Sequence, residues 1–564
     1  MSSFIAVFLT LLSIQVTAVS IHRRTLNGPS VQMGSTTVVG RIKTPFMSTD
    51  ELEFFGGIPY GKPPVGLRRF KPPVAIKQLP PGSFDATQFG PSCFQLLPDQ
   101  PNSSEDCLSI NVLRPSGTEQ DTALPVMAWI YGGGFTNGNS SLYDGSEIVA
   151  TSIARGTPVI YISFNYRLGP FGFPQGSEAQ LRGMLNLGLK DQLLALEWIQ
   201  TNIAAFGGDP SQVTVFGESA GSISIADLFL NSGMEYLVRA AIFESGQAAT
   251  TPVFAPTIPR RQLIWEDFVK NVPTCEFLIG SETAIPCLQY ADAGALVAAW
   301  FNVTSRAEEA FPWAPVLDGP QGIIPDLPSR LYELERFSFI PFMAGTNLDE
   351  GTAFALPSID YTSDVVRDVV IANITPSVVS LNVVDETVDE LLKLYPDDPV
   401  LGSPNETGSD TFGLSPGFKR VAQLYNDVAF QSQRRLWSQA ASSAGVKNYG
   451  YLFTDPQPAN TTSPYLGVYH ASEIPYIFGA TQLIPGTADA PRQLSRVMMD
   501  YWISFATSLT PNDGKGVPRP DWPEFTSDNQ VLLQLNGENT MTIPDDYREE
   551  QIVFINSNPP VFQH

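Results

Sequence analysis

Histidine is scarce in this chain: three in 564 residues, at His22, His470 and His564. Any search for a general base among imidazoles is thereby narrowed to three positions. Cations are also few. Lys plus Arg number 33 against 57 Asp plus Glu, a net charge of −24. An acidic surface of this kind argues against nucleic acid or an anionic membrane as the main partner and fits a soluble protein in an acidic or extracellular medium. Beyond the first twenty residues no run of eighteen apolar residues occurs, so no membrane span is expected. There is no internal repeat, heptad array or low-complexity tract. The four cysteines have spacings that do not match a zinc ribbon.

What is present points outward from the cell. Phe4 to Ile14 is apolar and is followed by Val16-Thr17-Ala18, the pattern of a signal peptide over residues 1–18, cut near Ala18 or Ser20. Pro559 to His564 matches no retention or anchoring signal, so a stable membrane anchor is not expected. Six N-x-S/T sequons occur, at Asn102, Asn139, Asn302, Asn373, Asn405 and Asn460. Cys93, Cys107, Cys275 and Cys287 allow three pairings. The sequence-local one, Cys93–Cys107 and Cys275–Cys287, closes two loops of about a dozen residues, each worth roughly 3 kcal/mol in loop entropy. The expected location is secreted, extracellular.

Forty-eight prolines and 45 glycines spread along the chain predict many turns and long loops. Thr36–Ile42 and Glu53–Ile58 read as strands of an opening antiparallel ladder. Leu124–Tyr131 and Thr157–Phe164 are continuous apolar runs, as central strands covered on both faces require. Asp191–Phe206 has helical spacing, Ala240–Glu244 and Phe339–Gly345 read as strands, and Tyr449–Phe453 is a late one. Pro252–Asp318 and Tyr361–Ser443 are helix-rich excursions, and Gln493–Ser508 is a closing amphipathic helix. Alternating strand and helix predicts a mostly parallel sheet with helices on both faces.

One stretch organises the rest. Val213–Phe216 is a buried strand, Gly217-Glu218-Ser219-Ala220-Gly221 turns sharply, and a helix begins near Ser222. Strand, G-x-S-x-G and helix together describe a nucleophile elbow that lifts Ser219 above the strand end. Upstream, Gly132-Gly133-Gly134 closes a buried strand, where side-chain-free backbone can bring N–H groups close to a ligand. A serine nucleophile needs a base, normally histidine. His22 sits at the expected mature N-terminus and His564 ends the sequence, so both are expected to be mobile, which leaves His470. The third member is a carboxylate lying between Ser219 and His470. Asp349 and Glu350 both follow the strand Phe339–Gly345, and spacing does not separate them.

Several long motifs occur in order: EDCLSINV at Glu105–Val112, YGGGF at Tyr131–Phe135, NYRLGPFGF at Asn165–Phe173, FGGDPSQVTVFGESAG at Phe206–Gly221, GTNLDEGT at Gly345–Thr352 and GVYHASEI at Gly467–Ile474. With them the chain resembles the type-B carboxylesterase/lipase family, which also holds the cholinesterases and certain secreted fungal lipases. The resemblance implies an α/β-hydrolase fold with large helical insertions, a single domain over residues 19–564. It implies Ser219 as nucleophile, Glu350 (not Asp349) as triad acid, His470 as base, and the N–H groups of Gly133, Gly134 and Ala220 as the oxyanion hole. The disulfide pairing above is also the family pattern.

The implied activity is a secreted serine carboxylic-ester hydrolase working through an acyl-serine, with no metal or cofactor and a small-molecule or lipid ester as partner. The Cys93–Cys107 loop is short compared with the lid of the family's lipases, which favours an esterase over an interfacially activated lipase. It holds no tryptophan, unlike the corresponding cholinesterase loop. A lipase or sterol-ester hydrolase is the alternative. A non-catalytic adhesion protein is the alternative of another class, disfavoured because all three triad residues are present.

Overall fold

The computed structural model describes residues 28–96, 102–231, 233–374, 379–456 and 462–564. The signal-peptide segment, His22 and the Asn460 sequon lie outside the described residues.

Eleven strands form one sheet. From edge to edge they run Met541–Pro544, Val531–Leu535, Asn448–Phe453, Phe342–Asn347, Ala240–Glu244, Gly208–Glu218, Leu124–Ile130, Ile160–Phe164, Ser109–Pro115, Leu52–Pro59 and Arg41–Lys43. From Val531–Leu535 to Ile160–Phe164 every neighbouring pair is parallel. The outer pairs are antiparallel. Ile160–Phe164, Ala240–Glu244 and Asn448–Phe453 are buried at every residue, which requires cover on both faces and explains their mainly apolar character. This is the α/β-hydrolase fold expected. A small sheet of Ser30–Met33, Thr36–Val39 and Gly82–Asp85 stands apart. The predicted Thr36–Ile42 strand is therefore two: its first half joins the small sheet, and Arg41–Lys43 pairs antiparallel with Leu52–Phe54.

Two other strands begin later than their apolar runs. Thr157–Phe164 starts at Ile160, and Phe339–Gly345 shifts to Phe342–Asn347. Pro158 and Pro341 have no N–H to give to a ladder, so pairing starts beyond them. The helix before the elbow spans Leu187–Asn202, followed by a tighter turn over Ile203–Phe206. A buried ion pair fixes it to the NYRLGPFGF segment: Arg167 donates to both carboxylate oxygens of Asp191 at 2.7 Å. The closing helix starts earlier than its amphipathic pattern, at Asp489, with Pro491 in its first turn.

Both disulfides, Cys93–Cys107 and Cys275–Cys287, are formed, with Cα atoms 5.0 and 5.8 Å apart. The main core wraps the large sheet. A second apolar cluster, from Ala355 to Val428 with Ile555, Val561 and Phe562, binds the later helical excursion to the C-terminal segment. Among the described residues no helix is long and apolar enough to cross a membrane.

Candidate active site

The strand Gly208–Glu218 runs directly into the helix Ala220–Phe229, with Ser219 alone between them. The helix thus begins two residues before the expected Ser222. Ser219 carries the turn at φ 54° and ψ −127°, a left-handed conformation that costs a non-glycine residue of order 1–3 kcal/mol. Neighbours hold it there: Ser219 N–H donates to Glu244 O at 3.0 Å, and Ser219 O accepts from Ile223 N at 2.8 Å. Gly221 is obligatory, since a Cβ there would lie 2.0 Å from Ile130 O on the adjoining strand. Gly132 is equally confined: its Cβ would meet the Ser219 Cβ at 2.8 Å. The glycine loop and the elbow are therefore in direct contact. The N–H groups of Gly133, Gly134 and Ala220 find no protein acceptor among the described residues.

Asp349 and Glu350 divide the work that spacing left open. Glu350 is fully buried; its Oε2 lies 2.6 Å from His470 Nδ1 and its Oε1 accepts Asn347 N–H at 2.6 Å. The Glu350 N–H in turn donates to Asn426 Oδ1 at 3.0 Å. Asp349 never reaches the imidazole. Its Oδ2 accepts Val468 N–H at 2.9 Å, and its Oδ1 accepts Ser403 Oγ–H and Asn405 N–H at 2.8 and 2.7 Å. Asp349 thus anchors the loop that carries His470, and Glu350 orients the ring itself. On the other side of the ring, His470 Nε2 is 2.8 Å from Ser219 Oγ. Phe354 and Phe430 flank the imidazole with ring centroids 5.1 and 5.0 Å away.

Two further carboxyls surround this imidazole and carry no assigned role in the sequence reading. Glu218 Oε1 lies 3.1 Å from His470 Nε2, and Glu473 accepts from the Asn347 side-chain amide. Burial pushes both above the usual carboxylate range; for Glu218 the His470 charge opposes that rise, and for Glu473 the Glu350 charge adds to it. For His470 burial acts downward, but Glu218 and then Glu350 outweigh it, and the imidazole is held above its ordinary value. A signal was available in the sequence: Glu218 immediately precedes Ser219 and Glu473 lies three residues beyond His470.

Ser219 opens on a cavity of about 840 Å³, its mouth included. Phe135, Ile223, Phe254, Phe311, Phe354, Tyr425, Val428 and Phe430 give it a mainly apolar lining. Most of these belong to the helical excursions, including Val428 and Phe430 from a widened π-type turn at Asn426–Gln431.

One sequence expectation fails, and one sequon is less accessible than a surface site. His564 is not mobile: it is 2 % exposed, stacks on Phe562 and lines the cavity. Its position at the end of the sequence is overridden by hydrogen bonds from Gln433 Nε2 to its Nδ1 and from Ser329 Oγ to its main-chain oxygen. Asn139, by contrast with an exposed sequon, is buried in the folded chain. It is 4 % exposed and caps the next turn through its Oδ1. Asn102 and Asn302 are exposed, whereas Asn373 and Asn405 are half-buried and their side chains bond to Ala310 and Asp349.

Residues 27–555 match the model of the carboxylesterase family. The chain is 33 % identical to secreted lipase 1 of Botryotinia fuckeliana (strain B05.10), over 91 % of this chain and 90 % of that protein. It is 34 % identical to lipase 2 of Diutina rugosa, over 90 % of this chain and 93 % of the relative. Among solved structures, EstA of Aspergillus niger superposes with a TM-score of 0.79 at 25 % identity, covering 95 % of this chain and 99 % of EstA. A PNB esterase gives 0.74 at 29 % identity, covering 93 % and 100 %.

Proposed function

This chain belongs to the carboxylesterase family, and from that premise we propose that it cleaves carboxylic esters through an acyl-enzyme formed on Ser219. The observation that carries the proposal is the unbroken line Ser219 Oγ, His470 Nε2, His470 Nδ1, Glu350 Oε2, with its two links at 2.8 and 2.6 Å. In this reading neutral His470 takes the Ser219 proton as Oγ attacks the ester carbonyl. Glu350 holds the Nδ1–H tautomer and stabilises the imidazolium. The carbonyl oxygen becomes an oxyanion beside the free N–H groups of Gly133, Gly134 and Ala220, each donor being worth about 3 kcal/mol in such sites. His470 then protonates the departing alcohol, and water activated by the same imidazole releases the acid.

The mainly apolar cavity suits the acyl part, which stays bound through both half-reactions while the alcohol leaves after the first. A short Cys93–Cys107 loop favours soluble or modest esters. The second reading, a lipase on long acyl chains, draws support from the named lipases among the relatives. We read the protein as secreted, on its N-terminal apolar run, its disulfides and its secreted relatives.

Hydrolysis of p-nitrophenyl esters from acetyl to palmitoyl, with Ser219→Ala as control, tests both. Activity confined to short acyls and absent from the variant is the expected result; a rate rising toward palmitoyl selects the lipase reading. Activity retained in Ser219→Ala overturns the assignment of the nucleophile.

A further inference from the structure

The cavity wall is not apolar throughout. His564 is held rigidly in it: its N–H donates to Pro559 O at 3.1 Å, its main-chain oxygen accepts from Ser329 Oγ at 2.6 Å, and the preceding Gln563 O accepts from Val253 N at 2.9 Å. The ring stacks on Phe562 at 5.5 Å between centroids, and Nδ1 lies 2.7 Å from Gln433 Nε2. An amide nitrogen only donates, so Nδ1 accepts and the ring proton of the neutral imidazole sits on Nε2. The amide is oriented in turn, because Gln433 Nε2 also donates to Ser432 Oγ at 3.1 Å while Ser432 Oγ donates to Val428 O at 2.9 Å. Burial pushes the His564 imidazole down to about 3, so it is neutral at every working pH. Nε2–H has no protein acceptor among the described residues. A mainly apolar cavity, whose polar lining also includes Thr251, Arg260, Arg261 and Glu309, therefore has in its wall, at His564, a fixed, uncharged ring donor without a protein acceptor.

We propose that His564 is a specificity-determining residue, its Nε2–H selecting esters whose acyl chain carries a second, uncharged oxygen acceptor, such as a keto or ether oxygen, away from the scissile carbonyl. The inference rests on the reading of Ser219 as nucleophile, since that reading places the acyl chain in this cavity. Discrimination has a physical asymmetry. A plain alkyl chain packs against the donor and leaves it unsatisfied, whereas a keto oxygen at the right depth satisfies it, and buried unpaired donors reject analogues that lack the acceptor.

The test uses p-nitrophenyl octanoate and the series of its keto analogues, with the carbonyl moved from C4 to C7. The readout is the ratio of kcat/KM between keto and plain ester within the same protein, so enzyme concentration and acylation chemistry cancel. Wild type is expected to show a peak of about tenfold at one position, the scale of one hydrogen bond of ~1.4 kcal/mol. His564→Phe, which keeps an aromatic ring without the donor, is expected to flatten that peak, and His564→Gln, which keeps a neutral donor, to recover part of it. A flat wild-type profile overturns the proposal by itself, whether or not the variants fold. So does a peak that persists unchanged in His564→Phe. A flat profile together with a dead Ser219→Ala overturns the His564 assignment alone; activity surviving in Ser219→Ala overturns the nucleophile assignment, and this proposal with it.

Discussion

Replacing Glu350 by glutamine tests the proposed triad at its most constrained atom. The two carboxylate oxygens of Glu350 have different fixed partners. Oε1 accepts the main-chain N–H of Asn347 at 2.6 Å, and Oε2 faces His470 Nδ1 at 2.6 Å. A main-chain N–H cannot turn round. In Glu350→Gln the amide oxygen is therefore required at the Asn347 side, and the NH2 group must face Nδ1. The imidazole then accepts at Nδ1 and carries its proton on Nε2, pointing a donor at Ser219 Oγ where an acceptor is needed. Reversing the amide sets two donors against each other at Asn347, at a cost of about 1–3 kcal/mol for the unsatisfied N–H. The carboxylate's attraction for the imidazolium is also lost, and at 2.6 Å and an effective dielectric of 20 that is at most about 6 kcal/mol. Together these place the loss of kcat at roughly 10³ to 10⁴-fold, the scale of a wrong tautomer in such triads. Stopped-flow or steady-state hydrolysis of p-nitrophenyl butyrate measures it, with the thermal unfolding midpoint as a check on folding. Retention of more than about a tenth of kcat in a folded variant would refute the tautomer argument.

Other perturbations follow from the same geometry. Glu218→Gln removes the carboxylate 3.1 Å from His470 Nε2 and so lowers the imidazole pKa. Because His470 must be neutral to accept a proton, the acid limb of kcat/KM against pH is expected to move to lower pH; a limb that stays or moves upward contradicts the electrostatic account. Gly221→Ala forces a Cβ to 2.0 Å from Ile130 O, so its denaturant midpoint is expected to fall by the equivalent of about 3 kcal/mol. Gly445→Ala, with φ 76° and open space around it, is the control, at about 1–2 kcal/mol. Serine in place of both Cys275 and Cys287 opens a loop with a sequence separation of 12 and is expected to cost about 3 kcal/mol in urea titrations.

Much of the architecture was legible because it depends on short-range pattern. Ala240–Glu244 appears as a strand at the residues expected, since four consecutive apolar side chains, Ala240 to Phe243, suit a position covered on both faces. The elbow was legible because strand, turn and helix are contiguous. His470 was found through scarcity, with few imidazoles to choose among. Boundaries slipped where proline interrupted an apolar run, at Pro158 and Pro341, since hydrophobicity carries no information about a missing donor.

The amino-acid sequence by itself marked the central strands and the turn at Ser219 and, with the family's motifs, the three residues that now lie within hydrogen-bond distance in line, but not the edge strands Val531–Leu535 and Met541–Pro544. Only the tertiary structure decided what each neighbour does. Asp349 and Glu350 are adjacent in the chain, yet one grips the His470 loop and the other the His470 ring, because successive side chains leave a turn in different directions. The environment of Glu218, the cavity and the burial of His564 are likewise invisible locally. They arise where segments hundreds of residues apart converge: the glycine loop, the elbow, Phe254, Phe354, Phe430 and the final turn all meet around one space. Pattern along a chain reports which side chains seek burial, but desolvation, charge coupling and cavity shape are sums over neighbours that only the folded chain supplies.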